Sequence, residues 1–519
     1  MLRLALFVCF ATAKAYIWPS PQLDALELFR WEPDKSGLLG LIQPCDFFLF
    51  GGSSSGRSDA ADWIRTAYHD MATHNVTDGT GGMDASIRFA QEQARPEDVG
   101  DGFQNTLSSL INHSNRYVSM ADVLTVGAIV AIENCGGPEI AFRGGRIDAV
   151  APNKPGVPEP QQDLDSHISA FARQGFTQTE MIGLVACGHT FGGVQHAAFP
   201  DSVPVLNDPN NTQSVSHFDS TFVTFDNNVA TEYISGTTQN PLVVGLNDTT
   251  NSDKRIFSSD GNATMRSFAK SPDHFSSTCA DLFARMFNTV PRGVKLTEVI
   301  TPLPIKPDNL KFDLAVDGKT IDFTGQVRFW DTPENTTQTV RMLWDDRANG
   351  RNNATLILSG VSPSGVRHTV GWYDTPLLTL NAAAGITNMR FLVDGRLENQ
   401  GGVGFAIQDD LIWSRSSCVY TNTSITSGRF EIAVRNTLTP TRVFLEQASR
   451  DNISRPITLE FGLAPVHVSP PAAKSVYNLW SAVVNNTFAA FTIGAEIDGV
   501  KVTRNDPRSV EGFASCTGL

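Results

Sequence analysis

From residue 59 the apolar positions fall three and four apart. In Asp59–Met71 they are Ala60, Trp63, Ile64, Ala67 and Tyr68, which predicts a helix with one apolar face. Residues from Tyr117 to Ile132 set Val123, Leu124, Val126, Ile129 and Val130 behind the polar Ser119 and Asp122, and predict a second. A third runs from Thr177 to Val185; its opening Thr177-Gln178-Thr179-Glu180 carries an N-terminal capping signal. A fourth covers Asp273 to Phe287. Connections rich in Gly, Pro and Asp separate them, among them Gly79–Gly82 and Pro152–Pro160; such long loops in a compact domain usually bind something. Beyond Pro302-Leu303-Pro304 the period becomes two: Gln326–Trp330, Thr339–Trp344, Thr355–Leu358 and Arg429–Val434 alternate. Turn pairs punctuate them at Asp317-Gly318, Asn349-Gly350, Asp394-Gly395 and Asp498-Gly499. The expected fold class is a mainly α domain followed by an all-β, sandwich-like C-terminal domain. The boundaries are 22–298 for the first domain, 299–308 for a Pro-containing linker and 309–519 for the second.

Composition narrows this. The chain has 519 residues, 41% hydrophobic and 18% charged, enough apolar material to exclude wholesale disorder. Lys and Arg number 40 against 54 Asp and Glu, a net charge of −14. That balance disfavours nucleic acid and anionic lipid as partners, since both need clustered cations. Residues 1–15 have the form of a secretory signal peptide: Arg3, an apolar run from Leu4 to Ala11, then Ala13-Lys14-Ala15. No other stretch reaches the roughly 20 apolar residues of a membrane span. The seven cysteines include Cys9, which cleavage would remove; the remaining six form an even set suited to an oxidising compartment. Sequons at Asn75, Asn112, Asn210, Asn247, Asn262, Asn335, Asn353, Asn422, Asn452 and Asn485 are those of a secreted, extracellular protein bearing N-glycans.

The chemistry is concentrated in the first domain. Arg65 and His69 stand at i and i+4, on one helical face. A fixed cation keeps its neighbouring imidazole neutral, and so ready to accept a proton where negative charge develops. A second histidine, His189, lies among small and apolar residues in Ala186-Cys187-Gly188-His189-Thr190-Phe191-Gly192, where a flat ligand could approach closely.

Taken together, Arg65-Thr66-Ala67-Tyr68-His69-Asp70, Gly82-Met83-Asp84-Ala85-Ser86 and Gly188-His189-Thr190-Phe191-Gly192 resemble the plant/fungal/bacterial haem peroxidase superfamily over roughly residues 35–290. The likeness is to the secreted fungal lignin, manganese and versatile peroxidases, or to a hybrid-type branch between these and the ascorbate and cytochrome c peroxidases. It implies haem b, with His189 as iron ligand, Asp260 as the carboxylate behind it, and His69 and Arg65 acting on hydrogen peroxide. Glu92 and Asp98 match the family's Glu–Asn pair. Asp98 in place of Asn is expected to raise the pKa of His69. Tyr68 stands where a Phe or Trp is usual, Phe218 where cytochrome c peroxidase has Trp, and Pro158 and Pro160 in the loop beside the haem edge.

The resemblance also implies two calcium ions. Asp70, Gly82, Asp84 and Ser86 match the distal set; Thr190, Asp219, Thr221, Thr224 and Asp226 match the proximal one. At the family's manganese positions stand Ser58, Asp62 and Gln195, one carboxylate where three are needed. The ascorbate-binding Arg position falls on Ala198. What remains is oxidation of small, phenolic or similar donors by one-electron steps at the haem edge. The alternative is a non-catalytic extracellular or wall-associated binding protein on a peroxidase-like scaffold. Six cysteines allow 15 connectivities. Cys45 and Cys135 match a disulfide of the fungal group, Cys418 and Cys516 share the β domain, and Cys187 and Cys279 are the other two; the pairing stays open.

Overall fold

The computed structural model describes residues 16–421, 426–466, 476–485, 490–509 and 512–516. The expected signal peptide, residues 1–15, lies outside them, as does the sequon at Asn422. The chain divides into two compact units, one holding residues 25–301 and 364–366, the other residues 16–24, 302–363 and 367–519.

The first unit is helical, and its helices begin where side chains can satisfy the free N–H groups of a first turn. Helix Asp59–Ala72 starts after Ser58, whose hydroxyl accepts from Ala61 N–H. Helix Met120–Asn134 starts after Ser119, which accepts from Asp122 N–H. Helix Gln178–Gly188 has both halves of a capping box between Thr177 and Glu180. Each such cap is worth about 1 kcal/mol. The apolar stripes then bury: Trp63, Ala67 and Met71 of the first helix and Val126, Ile129 and Ile132 of the second are fully inaccessible. Disulfide Cys187–Cys279 ties helix Gln178–Gly188 to helix Pro272–Phe287, and Cys45–Cys135 ties the N-terminal segment to the end of helix Met120–Asn134.

The second unit is β-rich, with an eleven-stranded, a five-stranded and a four-stranded sheet among the described residues. Leu411, Trp413, Phe430 and Ile432 of the largest sheet share one core with Val443, Leu445, Phe491 and Ile493 of the four-stranded sheet. Asp498-Gly499 closes a two-residue hairpin between Ile497 and Val500, with φ of 52° and 74°. That left-handed pair is what the twist of an antiparallel ribbon demands, and Asp-Gly supplies it with little strain. Disulfide Cys418–Cys516 closes within this unit.

Three boundaries differ from expectation. Strand Ile305–Leu314 begins inside the expected linker, because Ile305 already pairs with Phe329 of strand Thr320–Trp330. Residues 16–24 group with the β unit; Trp18 packs its ring on Phe405 and exchanges backbone hydrogen bonds with the Gln400 amide. The expected strand Thr355–Leu358 is two strands, Arg351–Thr355 and Ile357–Ser364, which join different sheets on either side of the buried Leu356.

Candidate active site

A cavity of about 450 Å³ lies in the helical unit, and His69 and His189 both line it. Helix Asp59–Ala72 delivers Arg65, Tyr68 and His69 to its wall; the end of helix Gln178–Gly188 delivers Gly188 and His189. Both imidazoles are fixed by the same device. His69 Nδ1–H donates to Asp98 Oδ1 at 2.6 Å, and His189 Nδ1–H donates to Asp253 Oδ2 at 2.7 Å. Each carboxylate thereby selects one tautomer and leaves Nε2 with its lone pair free for chemistry. His189 also stacks on Phe218, centroids 4.1 Å apart and rings 10° from parallel.

His69 sits at the focus of opposing effects. Burial and the Arg65 guanidinium lower its pKa to about 4, outweighing the hydrogen bond and charge of Asp98, which raise it. The rise expected from Asp98 is therefore reversed in sum: the ring is deeply buried, and desolvation of an imidazolium costs more than one carboxylate returns. Arg65 is positioned by Val99, whose carbonyl accepts from Nη2 at 2.9 Å, and lies 4.3 Å over the Phe103 ring, on which His69 also packs at 4.7 Å. Phe103 thus sets both distal side chains, a role the sequence did not announce because a Phe at a helix start reads as core.

Asp260 is not the carboxylate behind His189. It accepts from Ala263 N–H, Thr264 N–H and the Thr264 hydroxyl, and so caps helix Ala263–Lys270. Asp253 takes the role, buried and held also by Asn240 Nδ2–H at 2.8 Å. The two aspartates are seven residues apart along the chain. Helix Ser252–Ser258 has ended before Asp260 is reached.

Tyr68, Phe218, Pro158 and Pro160 all line the cavity. Tyr68 stacks on Phe171 at 6.0 Å, and burial holds its phenol well above the usual range. Asp62, the one carboxylate at the manganese positions, is paired with Arg57 at 2.6 Å, and Arg57 also reaches Asp101 at 2.7 Å.

The two expected calcium sets behave differently. In the distal set, Asp70 Oδ2 accepts from Asp84 and Ala85 N–H and Oδ1 from Ile87 N–H, so its carboxylate is spent on the backbone. Asp84 and Ser86 both accept from the Asn153 amide. Gly82 is required for close approach, since a side chain there would lie 2.7 Å from Thr289 O at φ +113°. This set does not fit a calcium ion, which needs six to eight free oxygens. In the proximal set, Asp219 is fully buried with Oδ2 lacking any partner, beside the hydroxyl of Thr221. Thr190 Oγ1 is held by Asp226 through its backbone, and Asn228 Nδ2 bridges Thr221 and Asp226. A buried carboxylate oxygen without a donor fits a cation there. The side chain of Thr224 is exposed.

The haem expectation passes a similar test. Nε2 of both histidines has no protein partner among the described residues, and a Cβ on Gly188 would meet nothing within 4 Å. Cavity, free nitrogens and the open glycine face fit a flat iron-binding group.

Comparison with known proteins defines the class. Residues 52–271 match the peroxidase family, so the helical unit contains a peroxidase domain, followed by the β-rich region. A WSC domain-containing protein of Arthroderma benhamiae is 37% identical over 348 residues, 66% of this chain and 47% of that protein. L-ascorbate peroxidase 5, peroxisomal, of Arabidopsis thaliana is 29% identical over 184 residues, 36% of this chain and 61% of that protein. A putative heme-binding peroxidase of Aspergillus fumigatus is 30% identical over 135 residues, 25% and 42% of the two chains. The chain spans about half the length of the curated relatives it matches.

The balance at His69 has a measurable consequence. Its proton-accepting form is the neutral ring, populated above a pKa of about 4 and lost as pH falls through it. Asp98→Asn removes a charge that raises this pKa, so the midpoint of His69 protonation, read by NMR titration, is expected to move to lower pH. A midpoint that stays in place would show that Asp98 does not set the acidity of His69.

Proposed function

We propose that the protein is a haem peroxidase that reduces hydrogen peroxide and oxidises small phenolic or similar donors by one-electron steps. The observation carrying this is the pair of carboxylate-oriented imidazoles lining one cavity, each with Nε2 free, beside a half-buried Arg65. Bound haem would supply the redox-active iron, held by His189 Nε2. Asp253 accepts the hydrogen bond from Nδ1–H of His189 and so makes Nε2 a stronger electron donor. His69 Nε2 takes a proton from hydrogen peroxide and returns it to the departing oxygen. Arg65 opposes the negative charge that appears between those two transfers. Tyr68, Phe171 and Pro158 line the cavity in which this exchange would take place.

The proximal oxygens Asp219, Thr221, Thr190 and Asp226 would hold one calcium ion and anchor the end of the His189 helix. Secretion is the reading that three disulfides support. N-glycans are supported by the exposure of Asn112, Asn210, Asn247, Asn335, Asn353, Asn452 and Asn485. The core shared by the largest and the four-stranded sheets supports a sandwich in the β-rich unit. The test is the purified full chain loaded with haem. It should show a Soret band that shifts on one equivalent of hydrogen peroxide, and should then oxidise guaiacol catalytically. A haem-loaded protein inert to peroxide would leave the non-catalytic binding protein as the better account.

A further inference from the structure

Four oxygens converge on a single nitrogen at the place where the resemblance implies a distal calcium ion. Asn153 Nδ2 lies 3.0 Å from Asp84 Oδ1, 3.0 Å from Asp84 Oδ2, 2.9 Å from Ser86 Oγ and 3.3 Å from Thr73 Oγ1. Asp84, Ser86 and Thr73 are all buried. Oxygens gather around one point in this way when the point is positive. An amide NH₂ offers two hydrogens and a partial positive charge, and the reversed amide would turn its own oxygen on the Asp84 carboxylate. The backbone of the same residue is used too: Asn153 N–H donates to Glu92, whose other oxygen accepts from the Ser86 hydroxyl.

We propose that the Asn153 carboxamide replaces the distal cation, cross-linking the Thr73, Asp84 and Ser86 loops to Glu92 with a neutral side chain of the protein itself. Calcium needs six to eight oxygen ligands. Here the oxygens of Asp84, Ser86 and Thr73 accept from the Asn153 amide, and Asp70, the remaining carboxylate of the set, has both oxygens engaged by N–H groups. The proximal set is the internal contrast: Asp219 Oδ2 is buried and has no donor. One domain thus meets two similar problems by different means. The distal loops would hold together in a medium stripped of divalent cations.

The test counts calcium and does not depend on catalysis. The purified full chain is equilibrated with calcium chloride, dialysed against metal-free buffer and analysed by atomic emission. At most one equivalent per chain is expected; two equivalents in the wild type overturn the proposal. Asn153→Ala removes the cross-link: its thermal midpoint is expected to fall by several degrees, and calcium chloride is expected not to restore it. A folded Asn153→Ala chain that melts with the wild type, or that regains the lost degrees on adding calcium, overturns the proposal. If that variant does not fold, the calcium stoichiometry of the wild type decides the matter.

Discussion

His69→Leu is expected to slow the reaction with hydrogen peroxide by about 10²–10⁴-fold, the range that a positioned proton-transfer group contributes. Two features of the site place it in the upper part of that range. Arg65 is a permanent cation and cannot accept a proton, and Asp98 is bonded to Nδ1, on the far side of the ring from Nε2, so neither takes over the role of Nε2. Leucine has nearly the size of the ring and keeps the packing on Phe103, so haem loading should be unchanged. Stopped-flow absorbance of the haem-loaded variant against peroxide concentration measures the effect. A rate within threefold of the wild type would show that peroxide is deprotonated elsewhere.

Asp253→Ala is expected to cost 10–100-fold in haem affinity or activity, as losses of the partner behind a metal-bound histidine do. Asp260→Ala should cost about 1 kcal/mol of stability through its helix cap and leave the haem spectrum unchanged. The asymmetry follows from the contacts. Asp253 is buried and holds the His189 ring, whereas Asp260 serves the start of another helix. Without Asp253, His189 loses its only ion-pair partner among the described residues and can exchange tautomers, so Nε2 is no longer reserved for iron. Visible absorbance of both variants, with thermal melts, separates the two roles. The reverse pattern, with Asp260→Ala spectrally altered and Asp253→Ala silent, would restore the seven-residue shift.

Much of the site could be read from local order along the chain. Arg65 and His69 are four residues apart on a helix whose apolar stripe sets which face is buried, so their common side follows from periodicity alone. The helix ends were equally legible, because Ser58, Ser119 and Thr177 cap the residues that follow them directly. The partner of His189 was not, and the three disulfides were grouped by the family resemblance and the domain cut rather than by local spacing. Each joins residues about 60 to 100 positions apart, and nothing in local spacing ranks one distant candidate above another. The Asp253 and Asp260 pair shows this limit most clearly, since both are aspartates a few residues apart and only the end of helix Ser252–Ser258 turns Asp260 away to the helix that follows.

The distal loops show the same limit in chemistry. Asp70, Gly82, Asp84 and Ser86 have the spacing of a calcium set, and sequence alone determines that these oxygens are brought near one another by a short connection. Whether a cation or a protein donor meets them depends on Asn153, which is 67 residues beyond Ser86 and reaches them only once the chain has folded. The acidity of His69 was decided in the same way. The sequence by itself determined the helical and the β-rich character of the two units, the capped helices and the common face of Arg65 and His69, all properties of neighbours along the chain. The tertiary structure alone decided which carboxylate stands behind His189, what fills the distal oxygen cluster, and that burial and Arg65 outweigh Asp98 at His69. Those outcomes depend on distance and desolvation between residues that the sequence keeps apart.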